Sequence, residues 1–338
     1  MSSYLYVTLN EEDKILIFNI DAQTGKLAAQ GEIAAVAAPG NMAIDPGRRF
    51  IYASCRGDRK NIAAFRRNLE TGMLSAINST PLEFEPGYLF VDRKGKFLLS
   101  TYFLNARVAV HQIGVDGALS TSNVQWFNTA MRAHSVKTDP SNRFVFVPHT
   151  AGKDGANAVF QFKFNETNGR LTPNTPDRVP AEANAGPRHC CFHRKLDIYY
   201  VCNEAGSSVT AYRFDSTNGT LAAFQTISTL PDNYQNKSFT AEICISPSGK
   251  FMYVSNRGHN SLACFSVDAG NGRLTSIRHT PTEPEVRGFS LSPDGNFLYA
   301  AGQQTNRLVS YRVNKDTGEL TPLDTYNVGK APWYVLSV

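Results

Sequence analysis

Ser248-Gly249, then Phe251-Met252-Tyr253-Val254, then Leu262-Ala263-Cys264-Phe265-Ser266-Val267, then Gly272 and, one residue on, Leu274: the reading of this stretch decides the fold. A Ser-Gly turn supplies the positive-φ position that hairpins need. It feeds a short run rich in aromatic and β-branched residues. A second run follows in which Ala263, Phe265 and Val267 alternate with Leu262, Cys264 and Ser266, and a glycine turn closes it. A period of two is the mark of a strand, and no convincing helical period competes with it anywhere in the chain.

The same unit recurs along the sequence. Its first run reappears as Tyr4-Leu5-Tyr6-Val7, Phe50-Ile51-Tyr52-Ala53, Phe97-Leu98-Leu99-Ser100, Phe144-Val145-Phe146-Val147, Ile198-Tyr199-Tyr200-Val201 and Phe297-Leu298-Tyr299-Ala300. Its closing turn reappears as Gly25/Leu27, Gly72/Leu74, Gly117/Leu119, Gly169/Leu171, Gly219/Leu221 and Gly318/Leu320. Units of roughly 46–54 residues, each offering four short strands, predict an all-β, seven-bladed β-propeller. Each blade holds four antiparallel strands and faces a central channel. Trp333-Tyr334-Val335-Leu336-Ser337-Val338 reads as an innermost strand, while the N-terminus opens on the second strand of a unit. The C-terminal strand is therefore expected to close the first blade. An open solenoid would have shorter repeats and leave that strand unpaired. No linker interrupts the pattern, so residues 1–338 read as a single domain. Extra length in 150–158, 177–185 and 231–239 marks long loops, where function tends to reside.

At 338 residues the chain is long enough to bury a large core. Its formal charge of +5 comes from Lys and Arg scattered through the turns. That pattern argues against nucleic acid and suits a small anionic substrate. Residues Met1 to Val7 lack the basic and apolar regions of a secretory signal, and no apolar run is long enough to cross a bilayer. The expectation is a cytoplasmic protein without a membrane partner, a monomer or a weak homodimer. Of the six cysteines, Cys190, Cys191, Cys202, Cys244 and Cys264 fall in apolar runs and none forms a C-x-x-C pair. They read as buried free thiols rather than as a zinc or redox site, with Cys55, beside Arg56, more exposed.

Ring closure would bring distant residues to one channel mouth. Asn41, Tyr88, His134, Arg188, His189, Glu242, Arg287 and Trp333 stand at or just before innermost strands. Asn10, Arg56, Tyr102, His149, Asn203, Glu204, Asn256, Arg257, Gln303 and Gln304 follow second strands. Several guanidinium groups on one rim suit a carboxylate or phosphate, whose oxygens they match bidentately. Phe289 and Trp333 read as packing residues. No G-x-S-x-G motif, no phosphate-cradling glycine loop and no short His spacing for a metal is present. A histidine base, arginines facing an oxyanion and an orienting glutamate remain. That set suits water attack on an ester carbonyl, and equally proton transfer beside a carboxylate.

At Gly186-Pro187-Arg188-His189, Phe192-His193, Asn203-Glu204 with Ser207-Ser208-Val209, Asn256-Arg257, Thr282-Glu283, Arg287-Gly288-Phe289, Ala301-Gly302-Gln303 and Pro332-Trp333, the sequence resembles the lactonase β-propeller family. That family includes the propeller-type 6-phosphogluconolactonases and the 3-carboxy-cis,cis-muconate lactonising enzymes, and the resemblance spans essentially the whole chain. It implies a metal-free, cofactor-free site at one mouth, with catalytic His134, Arg188, Glu204 and Arg257. His149, His189, Asn203, Arg287 and Gln303 are the expected substrate-binding groups. The chain departs from the family in having Arg132-Ala133-His134 for His-Pro-His. It also has Val147-Pro148-His149 for Val-Pro-Asp, which is expected to put an imidazole at the mouth in place of an acid. The implied activity is hydrolysis of a sugar-acid lactone, by default 6-phospho-D-glucono-1,5-lactone to 6-phosphogluconate in the pentose phosphate pathway. His134 would deprotonate water. A muconate-type cycloisomerase and a non-catalytic interaction scaffold are the alternatives.

Overall fold

The computed structural model describes residues 3–338. The regular elements among them are all β-strands, and they form seven four-stranded antiparallel sheets. From blade one to blade seven, the inner strands are Pro332–Ser337, Pro39–Ile44, Leu89–Val91, Lys137–Thr138, Pro187–Phe192, Phe239–Ile245 and Val286–Leu291. Blade one pairs Pro332–Ser337 with Ser3–Leu9, Tyr6 lying opposite Leu336, so the C-terminal strand closes the ring as expected.

The two repeated signatures are two halves of one contact between neighbouring blades. The ring of Phe50 lies over Gly117, that of Phe251 over Gly318 and that of Phe297 over Gly25. A Cβ on Gly318 would sit 2.3 Å from the Phe251 ring, and its φ is +77°. Glycine is required there both for space and for backbone conformation. Two residues after that aromatic, or after Ile198 where it stands over Gly272, a tyrosine hydroxyl donates to the same glycine's carbonyl. Tyr6 reaches Gly72 at 2.6 Å, Tyr52 reaches Gly117 at 3.0 Å, and Tyr200 and Tyr253 reach Gly272 and Gly318 at 2.7 Å. The bond from Tyr299 to Gly25, 2.9 Å, runs from blade seven back to blade one. Blades three and four carry Leu99 and Phe146 at this position and pack without it. The core therefore lies between blades. Phe146, Phe192, Tyr199 and Phe214, for example, fill the space between blades four and five.

Cys55 departs from expectation. It is fully buried, because it ends the strand Phe50–Cys55 on a face packed against the neighbouring blade.

The mouth is shaped by irregularity. In blades one, two, five, six and seven the register of the inner strand slips near one end, around Trp333, Asn41, Arg188-His189, Glu242 and Arg287. A bulge leaves residues unpaired and re-aims their side chains. Here it aims them at the channel.

Candidate active site

The bulged residues surround a cavity of about 650 Å³. His134, Arg188, His189, Glu204 and Arg287 all border it, together with Tyr88, Phe84, Phe103, Trp333 and Tyr334. Phe84 and Tyr334, 250 positions apart in sequence, share this wall, which only a closed ring allows.

Glu204 is the electrostatic hub. Its Oε1 accepts a hydrogen bond from Nη2 of Arg257 and lies 3.6 Å from Nε of Arg188. Both arginines are buried, at 4% and 6% exposure, so their charges are poorly hydrated and depend on this carboxylate. Backbone carbonyls complete the clamp: Arg188 donates to Ala241 O, and Arg257 to Thr240 O at 3.0 Å. Burial alone would raise the Glu204 pKa; the permanent charges of Arg188 and Arg257 outweigh it and hold the carboxyl at about 2. Two guanidinium groups against one carboxylate leave a net positive charge beside the cavity.

The imidazoles form a second group. The His134 and His189 rings meet edge to face with centroids 5.1 Å apart, and Phe103 and Tyr88 pack against them in turn. Burial, reinforced by Arg188, pushes both pKa values well below the usual histidine range, so both rings are neutral. His189 Nδ1 is 3.0 Å from Glu242 Oε1, and Oε1 also accepts from the Ile243 backbone N–H at 3.1 Å. Burial raises the Glu242 carboxyl to about 7. His134 Nδ1 is buried without a partner.

Arg287 donates from Nε to Gln303 at 2.7 Å and stacks over Trp333, 4.8 Å from the ring centroid. Arg56 stacks on the same indole at 4.9 Å and donates from Nε to Glu85 at 2.7 Å.

The structure thus gathers most, not all, of the residues singled out by sequence. Arg257 stands behind Glu204 rather than on the cavity wall. Gln303 borders an adjoining depression that shares Arg287 with the main cavity. His149 and Asn203 do not reach the mouth. His149 is fully buried against Phe160, 4.2 Å between ring centroids, with Nδ1 2.9 Å from Val147 O. The imidazole expected to replace an acid at the mouth is a core residue instead. Asn203 is buried and donates to Ser208 Oγ and Thr210 Oγ1 at 2.9 and 2.8 Å. The long loops at 150–158, 177–185 and 231–239 contribute no wall residue; Phe84, Glu85, Phe103, Leu104 and Asn105 do. Trp333 was expected to pack, yet it forms a face of the cavity. Its place as the second residue of an innermost strand, equivalent to that of Arg287, was the signal.

The profile of the family described as "Lactonase, 7-bladed beta-propeller" matches residues 2–337. The chain belongs to this lactonase propeller family. A 6-phosphogluconolactonase of Pectobacterium carotovorum is 32% identical to this lactonase propeller over 338 residues, covering 99% of the chain and 98% of the relative. One from Yersinia enterocolitica is 31% identical over 342 residues with the same coverage. The solved periplasmic gluconolactonase of Pseudomonas aeruginosa superimposes with a TM-score of 0.89 over 100% of this chain and 99% of its own. At 24% identity that likeness speaks to the fold.

Proposed function

We propose that this lactonase propeller hydrolyses a sugar-acid lactone, and that 6-phospho-D-glucono-1,5-lactone is its substrate. The observation that carries the reading is the meeting of neutral imidazole edges with Arg188 and Glu204 on one cavity wall, with Arg257 behind Glu204. Lactone opening needs a proton acceptor for water and cationic or N–H donors for the oxygen on which charge develops. Each is worth about 10²–10³-fold, which suffices for an already labile ester. In this reading a cavity imidazole, His134 on the sequence expectation, takes the proton of the attacking water. Arg188 faces the developing oxyanion. Glu204 and Arg257 hold Arg188 in place.

Two further features support an anionic substrate of this class. The cavity wall carries Arg56, Lys60, Arg188 and Arg287 against Glu85 and Glu204, four cationic side chains to two anionic ones. The full-length relatives named above are 6-phosphogluconolactonases. The test is a proton-release screen across phosphorylated and plain aldono-1,5-lactones, read above the buffer rate. Turnover restricted to the phosphorylated compounds is expected. Turnover of the plain compounds alone would move the substrate to a different sugar acid, and no turnover of any lactone would refute the reading.

A further inference from the structure

The two cavity histidines look alike in sequence but differ in what their buried nitrogens touch. A neutral imidazole carries one N–H and one lone pair, and the partner of one nitrogen fixes the state of the other. Glu242 Oε1 faces Nδ1 of His189 at 3.0 Å and accepts the Ile243 N–H, so once the carboxyl is ionised, above pH about 7, it is an acceptor towards His189. Nδ1 of His189 therefore carries the proton, and its Nε2 is a lone pair. His134 is the reverse case. Its Nδ1 is buried and has no partner. An orphaned buried N–H is rarer and costlier than an orphaned acceptor. The proton of His134 accordingly belongs on Nε2. Neither Nε2 is buried or hydrogen-bonded, and both rings border the cavity.

Resting on the hydrolytic reading above, we infer that His189, held by Glu242, is the group that takes the proton of the attacking water, and that His134 is a hydrogen-bond donor to the substrate. The roles expected from sequence are exchanged. Water oxygen bonds to the lactone carbonyl carbon while one water proton passes to Nε2 of His189. The carbonyl π pair moves onto its oxygen, which faces Arg188 and the Nε2–H of His134. Collapse of the tetrahedral adduct breaks the bond to the ring oxygen, and the proton on His189 Nε2 passes to that oxygen. The product is the open hydroxy acid, and His189 returns to its starting form. Glu242 touches no reacting atom; it is a positioning residue that sets the tautomer of His189.

The experiment has an arm independent of activity. Long-range ¹H–¹⁵N spectra of the wild-type protein, with each histidine assigned by substitution, report the tautomers directly. An Nδ1–H form at His189 and an Nε2–H form at His134 are expected. Glu242→Leu should turn His189 into a mixture of tautomers while leaving His134 unchanged. In the activity arm, His189→Gln should lose at least about 100-fold in kcat/KM. His134→Gln, which offers an N–H near the place of Nε2, should lose no more than about tenfold. Reversed tautomers, or the reverse order of losses, would overturn the assignment while hydrolysis stood. The stated tautomers in a protein that opens no lactone would overturn the hydrolytic reading, and with it the catalytic roles, while leaving the hydrogen-bond assignment intact.

Discussion

Replacing Glu204 with Gln removes one negative charge from between two buried guanidinium groups. The magnitude follows from the carboxyl itself. Its pKa falls from an ordinary 4.5 to about 2, and at 1.4 kcal/mol per pH unit that difference is worth about 3 kcal/mol of folded-state stability. Loss of one member of a buried ion pair costs about 3–5 kcal/mol elsewhere, the same range. For a chain of this length, 3 kcal/mol shifts Tm by about 4 °C. The sign with pH is fixed. A folded-state pKa below the unfolded one contributes stability that is complete above about 4.5 and is lost as pH falls toward about 2. Glu204→Gln should therefore melt about 4 °C below wild type at pH 7, and the gap should narrow below pH 4.5. Scanning calorimetry across that range measures both. An unchanged Tm at neutral pH, or a gap that does not narrow in acid, would refute the account of Glu204 as the counter-charge that holds the two arginines together.

Three further outcomes are expected. Gly318→Ala, which drives a methyl into the Phe251 ring and strains a φ of +77°, should cost about 3 kcal/mol or more in urea unfolding; Gly57→Ala, with φ +73° but open space, should cost only about 1–2. Trp333→Ala removes the face on which Arg56 and Arg287 stack, and should raise KM for the lactone roughly tenfold with little change in kcat in steady-state assays. His149→Phe should leave kcat/KM within about threefold of wild type. It should also flatten the loss of stability between pH 6.5 and 4 in denaturation scans, because burial holds the wild-type imidazole at about 4 and its protonation favours the unfolded chain.

The fold was legible because its two signatures are physically necessary. A bulky side chain, aromatic in six blades and Ile198 in the other, can sit on a neighbouring turn only if that turn is glycine, so the two signatures had to recur seven times and in step. The site was legible in part, and the misses follow one rule. A blade stands radially, so side chains inside its second strand point at the blade's two faces and not at the channel. His149 ends the strand Phe144–His149 and Asn203 ends Ile198–Asn203, so both are spent on packing. Glu204 and Gln303, one residue beyond their strands, turn toward the mouth. Arg257 is still within Phe251–Arg257 and reaches Glu204 only through its length.

Innermost strands obey a different rule, because simple alternation would spend every residue on one blade face or the other. The bulges suspend that alternation over one or two residues, which is how Arg188 and His189, adjacent in sequence, both border the same cavity. Nothing in composition announces such a bulge. The same is true of the partner that distinguishes the two histidines: Glu242 is 53 positions from His189 and meets it only because blades five and six are both bulged at the mouth. Sequence places two imidazoles at one opening, but which of them can accept a proton is decided by a contact between blades. It follows that shortening the bulge in blade six, by deleting Ala241, should shift Glu242 off His189 and disable proton transfer even though every candidate side chain remains in the chain.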